Sequence, residues 1–146
     1  MALERVASES PDLILHFGDL TTLEATSVFE RIAPVDAVAG NNDGPEIVRR
    51  YGRRKILECD GMLIGMIHGD GRRGTTLGRA RAAFSSERVD AIVFGHSHVP
   101  YLEHENGVLL LNPGSPTDKR RQPRFSFAVL ETTRGGVPAA RFVFFD

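Results

Sequence analysis

The chain has 146 residues, of which 41% are hydrophobic and 25% charged, and its formal net charge is −1. These values exclude an intrinsically disordered chain, because disorder requires low hydrophobicity and a high net charge. The sequence has no apolar run of about 18 residues that would cross a membrane, and the N-terminus lacks the apolar core of a secretory signal. The near-zero net charge gives no general electrostatic case for nucleic-acid binding.

Cysteine content and length add two expectations. One cysteine, Cys59, cannot build a disulfide framework, which is typical of a reducing, cytoplasmic location. A chain of this length buries enough surface to fold without a disulfide or zinc staple, so we expect a single domain over residues 1–146.

Hydrophobic periodicity predicts an alternation of strands and helices in the first two thirds of the chain. The predicted strands lie at residues 13–17, 35–39, 56–59, 62–67, 91–94, 101–104, 108–111, 125–131 and 139–145, and the predicted helices at 3–8, 21–32, from 45 onward and at 77–84. Residues 13–17 and 91–94 are almost wholly apolar, which is typical of strands buried on both faces. Thr21 and Glu24 form a capping-box pattern for the second helix.

Turn signals separate these elements and indicate the fold class. Asp60-Gly61 and Asn106-Gly107 are strong hairpin signals between apolar strands. The first half of the chain is therefore βα-like, and the second half is richer in antiparallel hairpins. This arrangement predicts an α/β fold with two packed, mixed β-sheets flanked by helices.

Polar clusters follow four of the predicted strands, each beside a glycine: Asp19, residues 41–43, His68, and His96 with His98. Ligands of α/β folds bind in the crevice at the carboxyl ends of strands, so these side chains are expected to meet there. One carboxylate, one amide and three imidazoles suit zinc, manganese, iron or nickel. A carboxylate can also bridge two ions about 3.5–4 Å apart, as in two-metal phosphoryl chemistry.

Each residue taken alone also has a structural explanation. Asp19 and Asn41 are common turn residues, and an isolated His68 is more often a packed histidine than a ligand. The pair in Gly-His-Ser-His is harder to explain in this way, because two buried imidazoles are costly unless they are bonded. Within a predicted strand, His16 is expected to be structural, whereas His104 near a hairpin is expected at the surface.

In this order the motifs resemble those of the calcineurin-like metallophosphoesterases, from about Pro11 to the last strand. A further motif resembles the small bacterial and archaeal phosphodiesterase branch that is related to the retromer subunit Vps29. The matching segments are Gly18-Asp19, Gly40-Asn41-Asn42-Asp43, His68-Gly69, Gly95-His96-Ser97-His98 and Asn112-Pro113-Gly114-Ser115-Pro116.

The resemblance implies an αββα sandwich with a two-metal site for divalent transition metals, manganese first, with nickel, iron and zinc as alternatives. It implies that Asp19 bridges the two ions, that Asn41, His68 and His96 hold one of them, and that His98 helps to hold the other. These five residues are therefore the expected catalytic and metal-binding residues.

Three departures from the family pattern qualify this expectation. The family's first strand carries Asp-x-His, and no such motif precedes Asp19, so we expect that strand to be missing, with one complete metal site. The second ion would then have only Asp19 and His98 as ligands. To explain the missing strand, we favour a true start upstream of residue 1 over a naturally short protein. Asn42 stands where many members have a proton-donating histidine. Asp70 stands where branch members often have a second histidine, and we do not count it as a ligand.

The resulting hypothesis is a metal-dependent phosphoesterase that hydrolyses small-molecule or nucleotide-type phosphodiesters. A metal-bridging hydroxide would attack phosphorus in line, and Asn41 and Asn42 would orient the phosphate. Basic residues of two loops are candidates for substrate contact or, equally, for a solvated surface; these are Arg72, Arg73, Lys119, Arg120 and Arg121. Branch members are often dimers or larger, so a homo-oligomer is expected.

Two other functions are considered. A Vps29-like interaction scaffold with a weak or inactive centre would fit an incomplete metal site, but it would not need His68, His96 and His98. Nucleotide binding without hydrolysis has no glycine-rich phosphate loop to support it.

Overall fold

Helices and strands follow one another in the predicted order in the computed structural model, which describes residues 2–146. The elements are α1 Ala2–Ser8, β1 Ile14–His16, α2 Glu24–Glu30, β2 Val35–Ala37, α3 Pro45–Tyr51, β3 Arg54–Cys59, β4 Met62–Ile67, α4 Thr76–Ala83, β5 Ala91–Phe94, β6 Tyr101–Glu105, β7 Val108–Asn112, β8 Phe125–Glu131 and β9 Ala139–Phe145. None of the helices over residues 2–146 has the length and hydrophobicity that a bilayer crossing requires.

A five-stranded mixed sheet in the order β3-β4-β5-β7-β6 forms one layer. Its three central strands are parallel, and the outer strands β3 and β6 pair antiparallel with β4 and β7 through the two predicted hairpins. Both turns have positive φ at their two central residues, 53° and 80° at Asp60-Gly61 and 51° and 80° at Asn106-Gly107. This geometry explains the preference for Asp-Gly and Asn-Gly, because a type I′ turn requires positive φ twice.

The second layer consists of two separate ladders, parallel β1–β2 and antiparallel β8–β9. Side chains of β1, β8 and β9 pack on one face of the five-stranded sheet, around buried Ile64, Val93 and Leu111. Helix α4 covers the other face of that sheet through Ala80, and residues of α2 and α3 pack against β2. The predicted α/β sandwich of two sheet layers flanked by helices is confirmed.

Two local predictions are wrong. Strand β1 is half-buried rather than buried on both faces, because one of its edges borders an open cleft. The capping box is absent, since α2 begins at Glu24 and no side chain caps it. Thr21 instead has φ of 65°, and its backbone N–H donates to the carboxylate of Asp43 at 2.6 Å. That long-range bond holds Thr21 outside the helix.

Candidate metal centre

The loops that follow β1, β2, β4 and β5 meet at the carboxyl ends of these strands. The first two loops touch through their glycines: a Cβ on Gly18 would lie 2.7 Å from the Cα of Gly40. Gly18 also has φ of 109°, a conformation that L-residues rarely adopt. Glycine at both positions therefore allows the Asp19 loop to approach the Asn41 loop closely.

Asp43 holds these two loops together. Its buried carboxylate accepts three backbone N–H bonds, from Asp19 at 2.6 Å, Gly40 at 2.7 Å and Thr21 at 2.6 Å. Hydrogen bonds to an ionised acceptor are shorter and stronger than those between neutral groups. Asp43 thereby fixes the backbone on which the Asp19 side chain is mounted.

His68, at the end of β4, is the centre of the cluster and is buried. Its Nδ1 lies 2.5 Å from the carbonyl oxygen of Phe17. A carbonyl oxygen can only accept, so Nδ1 carries the proton, and Nε2 of the neutral ring presents a lone pair. That Nε2 lies 2.9 Å from Oδ1 of Asn41, 3.1 Å from Nδ1 of His96 and 3.5 Å from Oδ2 of Asp19.

Three electron-pair donors therefore lie within 3.5 Å of a fourth, Nε2 of His68, and such a set is repulsive unless a proton or a cation lies between its members. Two imidazole nitrogens with carboxylate and amide oxygens are ligands that divalent transition metals accept. The second nitrogen of His68 is held by a carbonyl, as in most metal-ligating histidines. Within residues 2–146 no three His, Cys, Asp or Glu side chains are arranged as a metal site by themselves. The donor types of the four residues, with the amide of Asn41 included, suit one divalent ion.

The loop that carries His96 and His98 is held in an unusual conformation. Both histidines have positive φ, 64° and 61°, which costs energy and is often found at functional sites. Asn112, fully buried at the end of β7, donates from Nδ2 to the carbonyl oxygen of Gly95 at 3.0 Å and to Oγ of Ser97 at 3.1 Å. Burial, with added repulsion from His68, lowers the pKa of His96, which favours the neutral ring that a metal requires.

His98 lies in the same cleft but outside this cluster. Its Nδ1 is 2.5 Å from the carbonyl oxygen of Asp118, which leaves Nε2 with the lone pair. In the part of the chain that the structure describes, no hydrogen bond connects His98 to Asp19, Asn41, His68 or His96. The predicted set of five residues is therefore divided into a group of four and one neighbour.

The candidate substrate residues have different positions. Asn42 is exposed, and it binds the carboxylate of Asp19 through its backbone N–H at 3.0 Å and through Nδ2 at 3.3 Å. Arg72 and Arg73 are exposed on the loop after β4 and are not among the residues that line the cleft. Arg120 does line it, and its guanidinium donates to the carbonyl oxygen of His96 at 3.0 Å.

Histidines outside the cluster are placed as the sequence predicts. His104 is exposed on β6. His16 lies in β1, where its Nδ1 accepts from the backbone N–H of Gly18 at 3.3 Å. Burial lowers the pKa of His16 to about 4, and the carboxylates of Asp43 and Asp19 offset this effect only in part. The neutral ring is thus the form that the fold accommodates.

We expect the protein to lose stability as the pH falls from 6.5 to 4. In this window the unfolded chain protonates His16 and the folded chain does not, so the unfolded state gains protons. The loss attributable to His16 is about 2 kcal/mol, after allowing for the partial exposure of the ring. Urea unfolding of wild type and His16→Gln at pH 7.5 and 4.5 measures it. A pH dependence as steep in His16→Gln as in wild type would contradict this assignment, and His104→Gln is the matched control.

Sequence reasoning missed two organising residues, Asp43 and Asn112. Asp43 belongs to one of the polar clusters and Asn112 to one of the matching motifs, but the sequence pattern assigns neither a role in the site. Both are buried polar side chains near the ends of apolar strands, Asn112 as the last residue of β7 and Asp43 in the loop that follows β2. Since a buried polar group must be bonded, that position is a usable signal. Its partners could not be read from the sequence, because Asp43 bonds residues 22 and 24 positions away.

Two sheet layers flanked by helices, with side chains of metal-binding types at the strand ends, define an α/β sandwich with a candidate metal centre. Residues 1–135 match the model of the calcineurin-like phosphoesterase superfamily domain, so the chain belongs to that superfamily.

Individual relatives agree with this assignment. A probable metallophosphoesterase of Methanocaldococcus jannaschii is 40% identical over 111 residues, which cover 75% of this chain and 55% of the relative. The chain thus spans just over half the length of that protein. A phosphodiesterase of the same organism is 27% identical over 125 residues, covering 77% of this chain and 72% of the relative.

Among solved structures, wild-type Vps29 of Entamoeba histolytica complexed with zinc superposes with a TM-score of 0.74 at 22% identity. The superposition covers 99% of this chain and 88% of the Vps29 chain. At this identity the likeness shows the shared fold.

Proposed function

We propose that this chain is a metal-dependent phosphodiesterase whose cluster of Asp19, Asn41, His68 and His96 binds one divalent transition metal, with His98 contributing to a second, weaker site. The close approach of Asn41 Oδ1, His96 Nδ1 and Asp19 Oδ2 to Nε2 of His68 is the observation that carries the proposal. Manganese is the first candidate, ahead of nickel, iron and zinc. The phosphodiesterase among the relatives supports the choice of substrate class.

A bound divalent ion would lower the pKa of water and neutralise charge on the phosphoryl oxygens. The chain's own groups set the geometry for that chemistry. The carbonyl of Phe17 orients the ring of His68, and Asp43 fixes the backbone at Asp19. The guanidinium of Arg120 lies beside the His96 loop in the cleft, where a planar, permanently charged donor suits a phosphate.

An interaction scaffold of the Vps29 type is the weaker candidate. Such a role needs an exposed apolar patch. The large apolar side chains that are most exposed in residues 2–146 lie in four different segments of the chain, at Val28, Val99, Val137 and Phe144.

Metal content tests the proposal directly. Protein purified without chelator and dialysed against manganese is expected to retain about one ion per chain, because the four-donor set is complete for one ion. His96→Ala is expected to lose most of it, while His104→Ala, an exposed histidine on β6, retains it. Elemental analysis measures the content. Wild-type protein without metal, or equal content in both variants, would overturn the proposal.

Leaving-group dependence is the next expected result. An amide cannot act as a general acid near neutral pH, and general acid catalysis typically contributes a factor of about 10²–10⁴. With Asn42 beside Asp19, aryl phosphodiesters should be cleaved far faster than alkyl ones. Asn42→His should narrow that difference, whereas Asn42→Gln should not. A rate insensitive to leaving-group pKa in the wild type would contradict the assigned position of Asn42.

A further inference from the structure

The loop of residues 69–74 connects His68 to the N-terminal end of α4. Three of its six residues are glycine, and five of the six are exposed. In the part of the chain that the structure describes, these six residues form no backbone–backbone hydrogen bond. A glycine-rich, exposed backbone without such bonds has little order of its own, so the conformation of the 69–74 loop depends on side chains.

Arg79 of α4 supplies hydrogen bonds to this loop. Its guanidinium donates from Nε to the carbonyl oxygen of Gly69 at 2.7 Å, and from Nη1 to the carbonyl oxygens of Arg73 at 3.0 Å and Gly74 at 2.9 Å. A fourth bond runs from Nη2 to Oγ1 of Thr76 at 3.4 Å. The planar guanidinium thus joins both ends of the 69–74 loop, which the single ammonium group of a lysine is less suited to do.

Two glycines of the loop leave space for this arrangement. A Cβ on Gly71 would lie 2.4 Å from Cδ of Arg79, so glycine at this position allows the arginine side chain to lie against the loop. A Cβ on Gly69 would lie 2.8 Å from Cγ2 of Thr76, and Gly69 has φ of 97°, which L-residues rarely adopt. The 69–74 loop is therefore packed closely on α4 as well as bonded to it.

Backbone contacts connect the loop to both histidines of the donor set. Gly69 directly follows His68, and the carbonyl oxygen of His68 accepts from the backbone N–H of Gly95 at 3.0 Å. Gly95 in turn precedes His96, whose Nδ1 lies 3.1 Å from Nε2 of His68. A shift of the Gly69 backbone therefore moves the backbone of His68 and, through Gly95, that of His96.

We propose that Arg79 is a positioning residue for the candidate metal centre: by fixing the 69–74 loop, it sets the spacing of His68 and His96 for a divalent ion. This inference rests on the proposed function, because it assigns Arg79 a role in that same site. The hydrogen bonds of the Arg79 side chain all go to the 69–74 loop and Thr76, so its effect passes through the backbone of Gly69. Loss of contacts that orient a metal ligand typically costs about 10- to 100-fold in metal affinity or activity.

Manganese affinity, measured without any substrate, tests this role. In equilibrium dialysis, Arg79→Ala is expected to raise the manganese dissociation constant about 10- to 100-fold over wild type. Arg81→Ala is the matched control and should leave the constant unchanged, since Arg81 lies on the same helix and pairs with Glu105 of β6. An unchanged constant in a folded Arg79→Ala protein would overturn the proposal.

Failure of the proposed function is recognised separately, in wild type alone. A wild-type protein that binds no manganese would overturn the proposed function and the metal-positioning role of Arg79 with it. If wild type binds the ion, only the comparison of Arg79→Ala with Arg81→Ala decides the role of Arg79.

Limited digestion with trypsin reports on the 69–74 loop itself and needs no metal. Trypsin cleaves after Arg72 and Arg73, which are both exposed in this loop. Because cleavage follows the population of the open loop, it should be at least about tenfold faster at these two bonds in Arg79→Ala than in wild type or Arg81→Ala. Mass spectrometry of the fragments identifies the bonds. Equal rates in wild type and Arg79→Ala would show that Arg79 does not hold the loop, and would overturn the proposal.

Gly71→Ala displaces the arginine side chain without removing its charge, because the added Cβ would lie 2.4 Å from Cδ of Arg79. It should raise the manganese dissociation constant at least about fivefold in the wild-type background and leave it unchanged in the Arg79→Ala background, where the displaced atoms are absent. An equal rise in both backgrounds would show that Gly71 acts independently of Arg79 and would overturn the proposal. If Arg79→Ala does not fold, Gly71→Ala decides, and an unchanged constant in that variant overturns the proposal.

Discussion

If the proposed function holds, replacement of His68 by alanine is expected to reduce bound manganese to below about one tenth of an ion per chain and to lower the proposed phosphodiesterase activity by at least about a hundredfold. Groups that merely orient a metal ligand already contribute 10- to 100-fold, and His68 makes the central contacts of the donor set. The variant also leaves the carbonyl of Phe17 without its partner, which costs about 1–3 kcal/mol of stability. Elemental analysis, chromogenic diester hydrolysis and urea unfolding measure the three effects.

His104→Ala is the matched control, because it removes an exposed imidazole from β6 and leaves the cluster intact. It is expected to match wild type in metal content and activity. The unfolding measurement separates loss of the site from loss of the fold. A folded His68→Ala protein with wild-type activity would show that the cluster is not the catalytic centre.

Asp43→Asn should have the largest effect of any substitution outside the donor set. Asn has one acceptor oxygen where the carboxylate has two, so its amide group would face at least one of the N–H groups of Asp19, Gly40 and Thr21. Hydrogen bonds to a charged group contribute about 1.5–3 kcal/mol each, and the unsatisfied donor adds a penalty. We expect a loss of about 3 kcal/mol in the free energy of unfolding.

Activity of Asp43→Asn should fall by about 10- to 100-fold, since Asp19 is displaced while His68 and His96 remain. Asp12→Asn, at an exposed position before β1, controls for the change in charge. A distinguishing result is the manganese concentration needed for half-maximal activity, which should rise in Asp43→Asn. An unchanged manganese requirement with reduced stability would assign Asp43 a structural role without influence on the metal.

Local sequence patterns predicted most elements because they depend on near neighbours. The hairpins at Asp60-Gly61 and Asn106-Gly107 follow from turn residues that tolerate positive φ, and β5 follows from its apolar run, which is buried throughout. The prediction of a capping box at Thr21 is wrong because a distant residue decides the local structure there. The backbone N–H of Thr21 donates to the carboxylate of Asp43, 22 residues away.

In the candidate site, too, local patterns predict which residues take part, whereas long-range contacts decide how they are arranged. Asp19, Asn41, His68 and His96 were identifiable because each follows an apolar strand beside a glycine, and strand ends of this kind meet at one edge of an α/β fold. The contacts between these residues could not be predicted, since His68 bonds to Asn41, 27 residues away in the sequence, and to Phe17, 51 residues away. For Arg72 and Arg73 the sequence offers only their charge, and the loop places them outside the cleft.

By itself the sequence determined the kind and order of elements and the residue types gathered at the strand ends, because periodicity and turn chemistry act over a few residues. Tertiary structure decided which lone pairs converge, that Asp43 joins two loops, and that an open cleft divides the second layer between β1 and β8. These features depend on the packing of distant strands and on backbone groups. Every residue carries the same backbone N–H and C=O groups, so the sequence does not reveal which of them remain unpaired.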